Sequence, residues 1–181
     1  MSVNELIREI HENATAHGWW EKARDFGEIC ALIHSELSEA LEEYRANRPA
    51  FYVEGCLTLT DPEDWNGEKP EGIVTELADA IIRIFDYFGH EGVTLDFDPL
   101  KPSDETDDIA EYASFGEFVA NCHADVTAAY DDVNGERRDY LIDCISRIAT
   151  YVGDEGFLRS VIAVKCEYNK TRPYKHGGKL I

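Results

Sequence analysis

The sequence lacks a long hydrophobic run: no stretch approaches the roughly 20 apolar residues that are needed to cross a bilayer. Its N-terminus is amphipathic and acidic, without the basic start and apolar core of a secretory signal. The five cysteines are odd in number and contain no CxxC pair, which argues against a disulfide framework or a zinc site. We therefore expect a cytoplasmic protein with no membrane partner.

Basic residues are also scarce. The chain has 17 Lys and Arg against 37 Asp and Glu, a net charge of -20 that would repel a nucleic-acid polymer. A small phosphate compound is still compatible with this charge, because a bound divalent metal can attract an anion locally. With 181 residues, of which 44% are hydrophobic, the chain is predicted to form a single domain over 1–181.

Strand-like alternation is almost absent, and apolar residues recur instead at helical spacing. Loops rich in Gly, Pro, Asp and Asn are predicted at 47–70, 89–106 and 131–135. The fold class is therefore predicted to be all-α. The predicted helices are 3–16, 26–44, 73–88, 115–130, 137–152 and 156–168.

Two of the helices resemble two others. FGEICALIHSELSEALEE, which starts at Phe26, matches FGEFVANCHADVTAAYDD, which starts at Phe115. ELADAIIRIFDYFGHEG likewise matches YLIDCISRIATYVGDEG. Shared core requirements alone are the alternative explanation, but they do not demand the matching Gly, His and Arg. We predict a helical bundle of two tandem, diverged helix pairs, repeat one at about 19–92 and repeat two at about 115–156.

Acidic residues gather in repeat one. Glu36 and Glu39 share one face of the first helix, and Glu76 and Asp79 precede Arg83 on a polar stripe of the second. If the apolar faces of the two helices pack, the four carboxylates converge, and hard oxygen ligands suit Mg²⁺, with Mn²⁺ as a substitute. Arg83 either balances their charge or pairs with Asp79 within its own helix.

Repeat two has lost part of this set, because Ala128 stands where Glu39 does and Tyr140 where Glu76 does. We therefore expect one active copy and one structural copy.

The strings GWWEKARDFGEICALIHSELSEALEEYR, ELADAIIRIFDYFG and YNKTRPYKHGGK resemble the MazG-like branch of the all-α nucleoside triphosphate pyrophosphatases, which includes the dimeric dUTPases. The hallmark of that superfamily is an ExxE helix followed by an ExxD helix, with Mg²⁺ between them. The resemblance implies metal ligands at Glu36, Glu39, Glu76 and Asp79. A second helix pair without its acids also occurs in the dimeric dUTPases, and the resemblance allows a homo-oligomer.

The end of the chain reverses the overall charge, because five Lys or Arg residues stand against one acid in 165–181. From composition alone this segment can equally be a solubilising terminus. Its similarity to the family's phosphate-contacting end implies phosphate binding by Lys165, Asn169 and Arg172, with Arg83 joining them.

Two adjacent tryptophans, Trp19 and Trp20, precede the first acidic helix. Both cannot face inward on a regular helix, so either one packs in the core or one stacks on a base. The resemblance to the family favours a base-binding role for Trp20.

These expectations describe an enzyme that cleaves a nucleoside triphosphate to the monophosphate and pyrophosphate, with Glu36 or Glu39 as the base that activates water. One alternative is an enzyme like the phosphoribosyl-ATP pyrophosphatases. The other is a helical metal-binding or assembly module without catalysis. The base and the sugar of the substrate stay open.

Overall fold

The computed structural model describes residues 1–102 and 112–178, and this part of the chain is mostly helical, which confirms the all-α prediction. The end of the predicted loop 89–106 and the last three residues of the basic tail lie outside the described residues. The helices are α1 (Val3–Ala16), α2 (Phe26–Arg45), α3 (Ile73–Glu91), α4 (Phe115–Asp131), α5 (Arg137–Val152), α6 (Glu155–Thr171) and a four-residue turn, α7 (Lys175–Gly178).

Side-chain caps fix where several helices begin. The Ser2 hydroxyl and the Glu5 carboxylate form a reciprocal capping box at α1, and the Asp25 carboxylate accepts a hydrogen bond from the Glu28 N–H, 2.8 Å away, at α2. Ser114 and Asp154 act in the same way at α4 and α6. These caps satisfy N–H groups that have no partner inside the helix.

The predicted loop 47–70 contains some regular structure. Strands β1 (Tyr52–Val53) and β2 (Pro70–Glu71) pair in antiparallel fashion, and a 3-10 helix (Pro62–Asp64) lies between them. Strands of two residues are too short to leave an alternating sequence pattern, which is why the sequence gives no sign of them.

The small sheet fixes the start of α3. Gly72 precedes the helix with φ of 120°, and a Cβ there would lie 2.7 Å from the carbonyl oxygen of Ala50. The Val74 N–H donates to the same oxygen across 2.8 Å. Only glycine suits this close approach at positive φ, so Gly72 positions the first turn of α3, where Glu76 lies.

Helix α3 is the centre of the molecule and packs against α1, α2, α5 and α6. It also carries charged groups into the interior, because Glu76 and Asp86 are buried on it. Its apolar residues with no exposed surface are Leu77, Ala78, Ala80, Ile81, Ile84, Phe85 and Phe88. In the described part of the chain, no helix has the length and apolarity needed to cross a membrane.

The two helix pairs contain the same ion pair. Arg83 on α3 donates to Glu36 on α2 across 3.0 Å, and Arg147 on α5 donates to Asp125 on α4 across 2.7 Å. The alignment of the two repeats places Arg147 over Arg83 and Asp125 over Glu36. This correspondence supports the predicted duplication, which itself stays a prediction.

Equivalent histidines also meet where α2 packs on α4. The Nδ1 atoms of His34 and His123 are 2.7 Å apart, and the two rings stack with their centroids 5.0 Å apart. A contact between equivalent residues is what a two-fold arrangement of two copies produces.

The close approach of α1 to α3 gives a first prediction. A Cβ added at Gly89 would overlap the Cβ of His11, so Gly89→Ala is expected to lower the free energy of unfolding by about 1–3 kcal/mol. The matched control is Gly116→Ala, near the start of α4, where a Cβ meets only the Ser114 hydroxyl at 3.7 Å. Urea denaturation measures both variants, and equal stabilities would contradict the close contact.

Candidate metal centre

Three carboxylates converge between α2 and α3. Glu36, Glu76 and Asp79 each offer one oxygen, and these oxygens all lie within 4.8 Å of one another. We call these three residues the acidic cluster. Glu36 is 7% exposed and Glu76 is 5% exposed, so the negative charges are brought together where water cannot screen them.

Burial changes the protonation of the acidic cluster. Loss of water is the largest cause that raises the pKa of Glu76 to about 8, and the charges of Asp79 and Glu36 add to it while Lys165 opposes it. The pKa of Glu36 is raised as well, first by burial and then by Asp79. A cation placed among these oxygens would relieve both effects.

Arg83 contributes one positive charge to the acidic cluster. Its Nε and Nη2 atoms both lie 3.0 Å from the Glu36 Oε1 atom. The arginine therefore bridges α3 to α2, and the intrahelical pairing with Asp79, the alternative suggested by the sequence, is not the contact that forms.

Lys165 contributes a second positive charge from α6. Its Nζ atom lies 2.8 Å from Asp79 Oδ2 and 3.5 Å from the carbonyl oxygen of Pro70, and the residue is 4% exposed. Burial disfavours the ammonium group, but the charges of Asp79 and Glu76 outweigh this and raise the pKa of Lys165. The residue predicted to bind phosphate is thus engaged with the metal-ligand candidates themselves.

Glu39 lies at the edge of the acidic cluster. It is exposed, and its Oε1 atom accepts a hydrogen bond from the Ser35 hydroxyl across 3.0 Å. Its oxygens are outside the group that lies within 4.8 Å, yet its charge adds to the raised pKa values of Glu36 and Glu76. Of the four predicted ligands, the structure brings three together and leaves Glu39 beside them.

A cleft opens next to Asp79, between α1, α3 and the end of α6. The predicted phosphate-binding residues Asn169 and Arg172 lie along it, as does Arg83, so three of the four residues predicted to bind phosphate line this cleft. Among the side chains that line the cleft are Trp19, Asp79, Arg83, Asp86, Asn169 and Arg172.

The ring and the indole N–H of Trp20 are both engaged by other residues of the protein. Its ring stacks on His90 with the centroids 3.8 Å apart, and its indole N–H donates to Asp86 Oδ1 across 2.8 Å. The neighbouring Trp19 is the tryptophan that lines the cleft. The sequence identified both tryptophans as candidates. Which of them faces the cleft depends on Asp86 and His90, which lie 66 or more residues further along the chain.

Asp86 is the cleft residue that the sequence reasoning left without a role. It is 6% exposed, and its Oδ1 atom accepts a second hydrogen bond from His11 Nδ1, 2.8 Å away. It follows Glu76, Asp79 and Arg83 on the polar stripe of α3. That position is the feature of the sequence from which a role in the site could have been predicted.

The protonation of Glu76 gives a second prediction. Because the pKa of this carboxyl is higher in the folded than in the unfolded protein, its ionisation favours unfolding, and stability falls as pH rises from about 5 to 8. Without metal, Glu76→Gln should therefore raise Tm at about pH 8 and raise it less at about pH 5. Each kcal/mol gained in the free energy of unfolding corresponds to roughly 2–4 °C in Tm for a chain of this size. Thermal denaturation in EDTA at both pH values measures the difference.

The control is Glu42→Gln, an exposed acid on α2 that should change Tm little at either pH. Added Mg²⁺ should stabilise the wild type and not Glu76→Gln. A variant that loses stability at about pH 8, or one that Mg²⁺ stabilises as much as the wild type, would contradict the assignment of Glu76.

Comparisons of the chain with protein-family models, with curated proteins and with solved structures gave no match. Its function is therefore inferred from the side chains of the cleft and the acidic cluster.

Proposed function

We propose that the protein is a Mg²⁺-dependent nucleoside triphosphate pyrophosphohydrolase that releases pyrophosphate and a nucleoside monophosphate. The supporting observation is the buried acidic cluster, which adjoins a cleft that also carries Arg83 and Arg172. Buried acids provide a place for metal, and the arginines provide charge for phosphate. The resemblance of the two acidic helices to the MazG-like enzymes points in the same direction.

The acidic cluster fits Mg²⁺ by its chemistry. Its ligands are carboxylate oxygens, which Mg²⁺ and Mn²⁺ prefer, and it contains neither the thiolate nor the imidazole ligands typical of zinc. Glu36, Glu76 and Asp79 would hold the ion, and the charge of Glu39, which acts on both Glu36 and Glu76, would also favour a cation there. Bound Mg²⁺ would neutralise phosphate charge and polarise the bond to be cleaved.

Glu39 is the better candidate for the base. It is exposed at the edge of the acidic cluster, whereas Glu36 Oε1 is occupied by two nitrogens of Arg83 and burial raises the pKa of Glu36. Glu39 would take a proton from water as the water oxygen attacks the α-phosphorus. The bond from that phosphorus to the bridging oxygen then breaks, and its electron pair leaves with pyrophosphate.

Positive side chains would support the departing phosphates. Arg172 lies on the cleft, Arg83 lies between the cleft and Glu36, and the Lys165 ammonium is held at Asp79. Charge of this kind stabilises a transition state most effectively when it is already fixed in a site with little water. Because Lys165 is paired with Asp79, it would supply its positive charge next to the metal ligands and not at the far end of the phosphates.

One observation favours the non-catalytic alternative. Arg83 and Lys165 already satisfy Glu36 and Asp79 without an ion, which is how a purely structural charge network is built. A helical assembly module would need no more than this. The two proposals differ in their predictions for metal binding and for pyrophosphate release.

The test of catalysis is pyrophosphate release from a panel of ribo- and deoxyribonucleoside triphosphates with Mg²⁺. Glu39→Ala is expected to lower kcat/KM by about 10²–10⁴-fold, the usual contribution of a general base. Mn²⁺ should replace Mg²⁺, and EDTA should abolish release.

The matched control is Ala128→Glu, which restores in repeat two the acid that corresponds to Glu39. Because Tyr140 still replaces the second acid there, this variant should neither gain nor lose activity. If the wild type hydrolyses none of the nucleotides, or if Glu39→Ala retains full activity, the proposed role of the acidic cluster is wrong.

A further inference from the structure

The acids of α3 do not all belong to the acidic cluster. Asp79 is the last member of that cluster, and Asp86 lies seven residues further along α3, about 10 Å away at the rise of an α-helix. Both residues line the cleft, with Arg83 between them. A nucleotide whose phosphates lie at Asp79 would therefore bring its nucleoside part towards Asp86.

Asp86 is already oriented by its neighbours. The two donors that bind it, His11 Nδ1 and Trp20 Nε1, both reach Oδ1, each across 2.8 Å. The hydrogen bonds of the described residues leave Oδ2 without a donor. The carboxylate is thus held by α1 and by the segment before α2, while one oxygen is left over for a ligand.

Asn169 adds a second acceptor to the same cleft. Its Oδ1 atom is buried and has no hydrogen-bond partner among the described residues. A buried acceptor without a donor costs roughly 1–3 kcal/mol, so such an atom normally has a partner in the working molecule. The Oδ1 atom requires a donor, which a phosphate oxygen is not, so a phosphate could bind this residue only through its Nδ2 atom.

We infer that Asp86 and Asn169 form a nucleoside-recognition site that accepts hydrogen bonds from donor groups of the substrate. This inference relies on the proposed function for the nature of the ligand. The donors of a nucleoside are the amino and imino N–H groups of its base and the hydroxyl groups of its sugar. Trp19 also lines the cleft, where its ring contacts His176 edge to face and the Arg24 guanidinium at 5.6 Å.

The alternative is that Asp86 serves the fold alone. Its bonds to His11 and Trp20 join three segments of the chain, and that role requires no ligand. A structural role predicts that loss of the carboxylate weakens the binding of every nucleotide by the same factor. A recognition role predicts that the factor depends on the donor groups that the nucleotide carries.

The test compares pairs of monophosphates that differ in one donor, bound to the full chain in EDTA and measured by calorimetry. dGMP and dIMP differ in the 2-amino group, and dAMP and deoxypurine riboside monophosphate differ in the 6-amino group. dAMP and dideoxy-AMP differ in the 3′-hydroxyl group, so this third pair separates the sugar from the base. At least one pair should differ in Kd by about tenfold or more, because the weaker ligand leaves an acceptor unpaired.

Two variants identify the acceptor. Asp86→Asn retains an oxygen for His11 and Trp20 but removes the negative charge, and Asn169→Leu removes the second acceptor at similar volume. In at least one of them the Kd ratio of the discriminated pair should fall towards one. Asp143→Asn, in repeat two, should retain the wild-type ratio. If Asp86→Asn does not fold, a wild-type ratio in Asn169→Leu is enough to overturn the inference.

Ratios within about twofold for all three pairs, wild-type ratios in both variants, or no measurable binding of any monophosphate would overturn the inference. The result is separate from that of the catalytic test. If the Kd values of a pair differ but no pyrophosphate is released, the recognition site is supported and the proposed activity is wrong. If pyrophosphate is released but the Kd values of every pair are equal, the activity is supported and the recognition site is wrong.

Discussion

The constraint on which the structure depends is the burial of carboxylates where α2 meets α3. Glu36, Glu76 and Asp79 could not share this space as three bare anions, because the Coulomb repulsion and the loss of hydration would exceed the stability of a domain of this size. Arg83 and Lys165 neutralise two of them. Burial raises the pKa of Glu76 to about 8, which favours the neutral form of this third carboxyl at neutral pH. A divalent ion entering the site must therefore displace a proton from Glu76, move the Lys165 ammonium, or do both.

This balance also links elements that are far apart in the sequence. Lys165 ties α6 to α3 through Asp79 and to the small sheet through the carbonyl oxygen of Pro70, while Arg83 ties α3 to α2. The end of α6 thereby borders the cleft beside the acidic cluster, although α4 and α5 separate it from α3 in the sequence. Protonation of the acidic cluster, or a metal bound there, would change the interaction that holds α6, because Lys165 on α6 is one of the counter-ions.

The sequence predicted what local spacing controls. Apolar residues at helical spacing marked all six long helices, and the i,i+3 spacing placed Glu76 and Asp79 on one face of α3. Their convergence with Glu36 depends on the packing of α2 against α3. What it could not predict depends on long-range partners. The basic tail pointed to Lys165 as a phosphate ligand, whereas its pairing with Asp79 follows from how α6 docks on α3. The resemblance favoured Trp20 for base binding, whereas its contacts with His90 and Asp86 follow from how α3 packs. Neither strand was foreseen, because two residues carry no periodicity.

The second helix pair shows which part of this arrangement the fold requires. Arg147 and Asp125 form the same bridge between α4 and α5 that Arg83 and Glu36 form between α2 and α3, and there the position of Glu76 is taken by Tyr140. Asp143 stands where Asp79 does but is exposed, so one ion pair without a buried third carboxylate suffices to join such a pair of helices. The buried Glu76, together with the buried Lys165 that pairs with Asp79, is additional to that requirement, and burial of such ionisable groups costs free energy that the fold could avoid. A ligand that uses these residues would account for this cost, so the asymmetry between the two pairs supports the proposed metal-dependent function over a structural charge network.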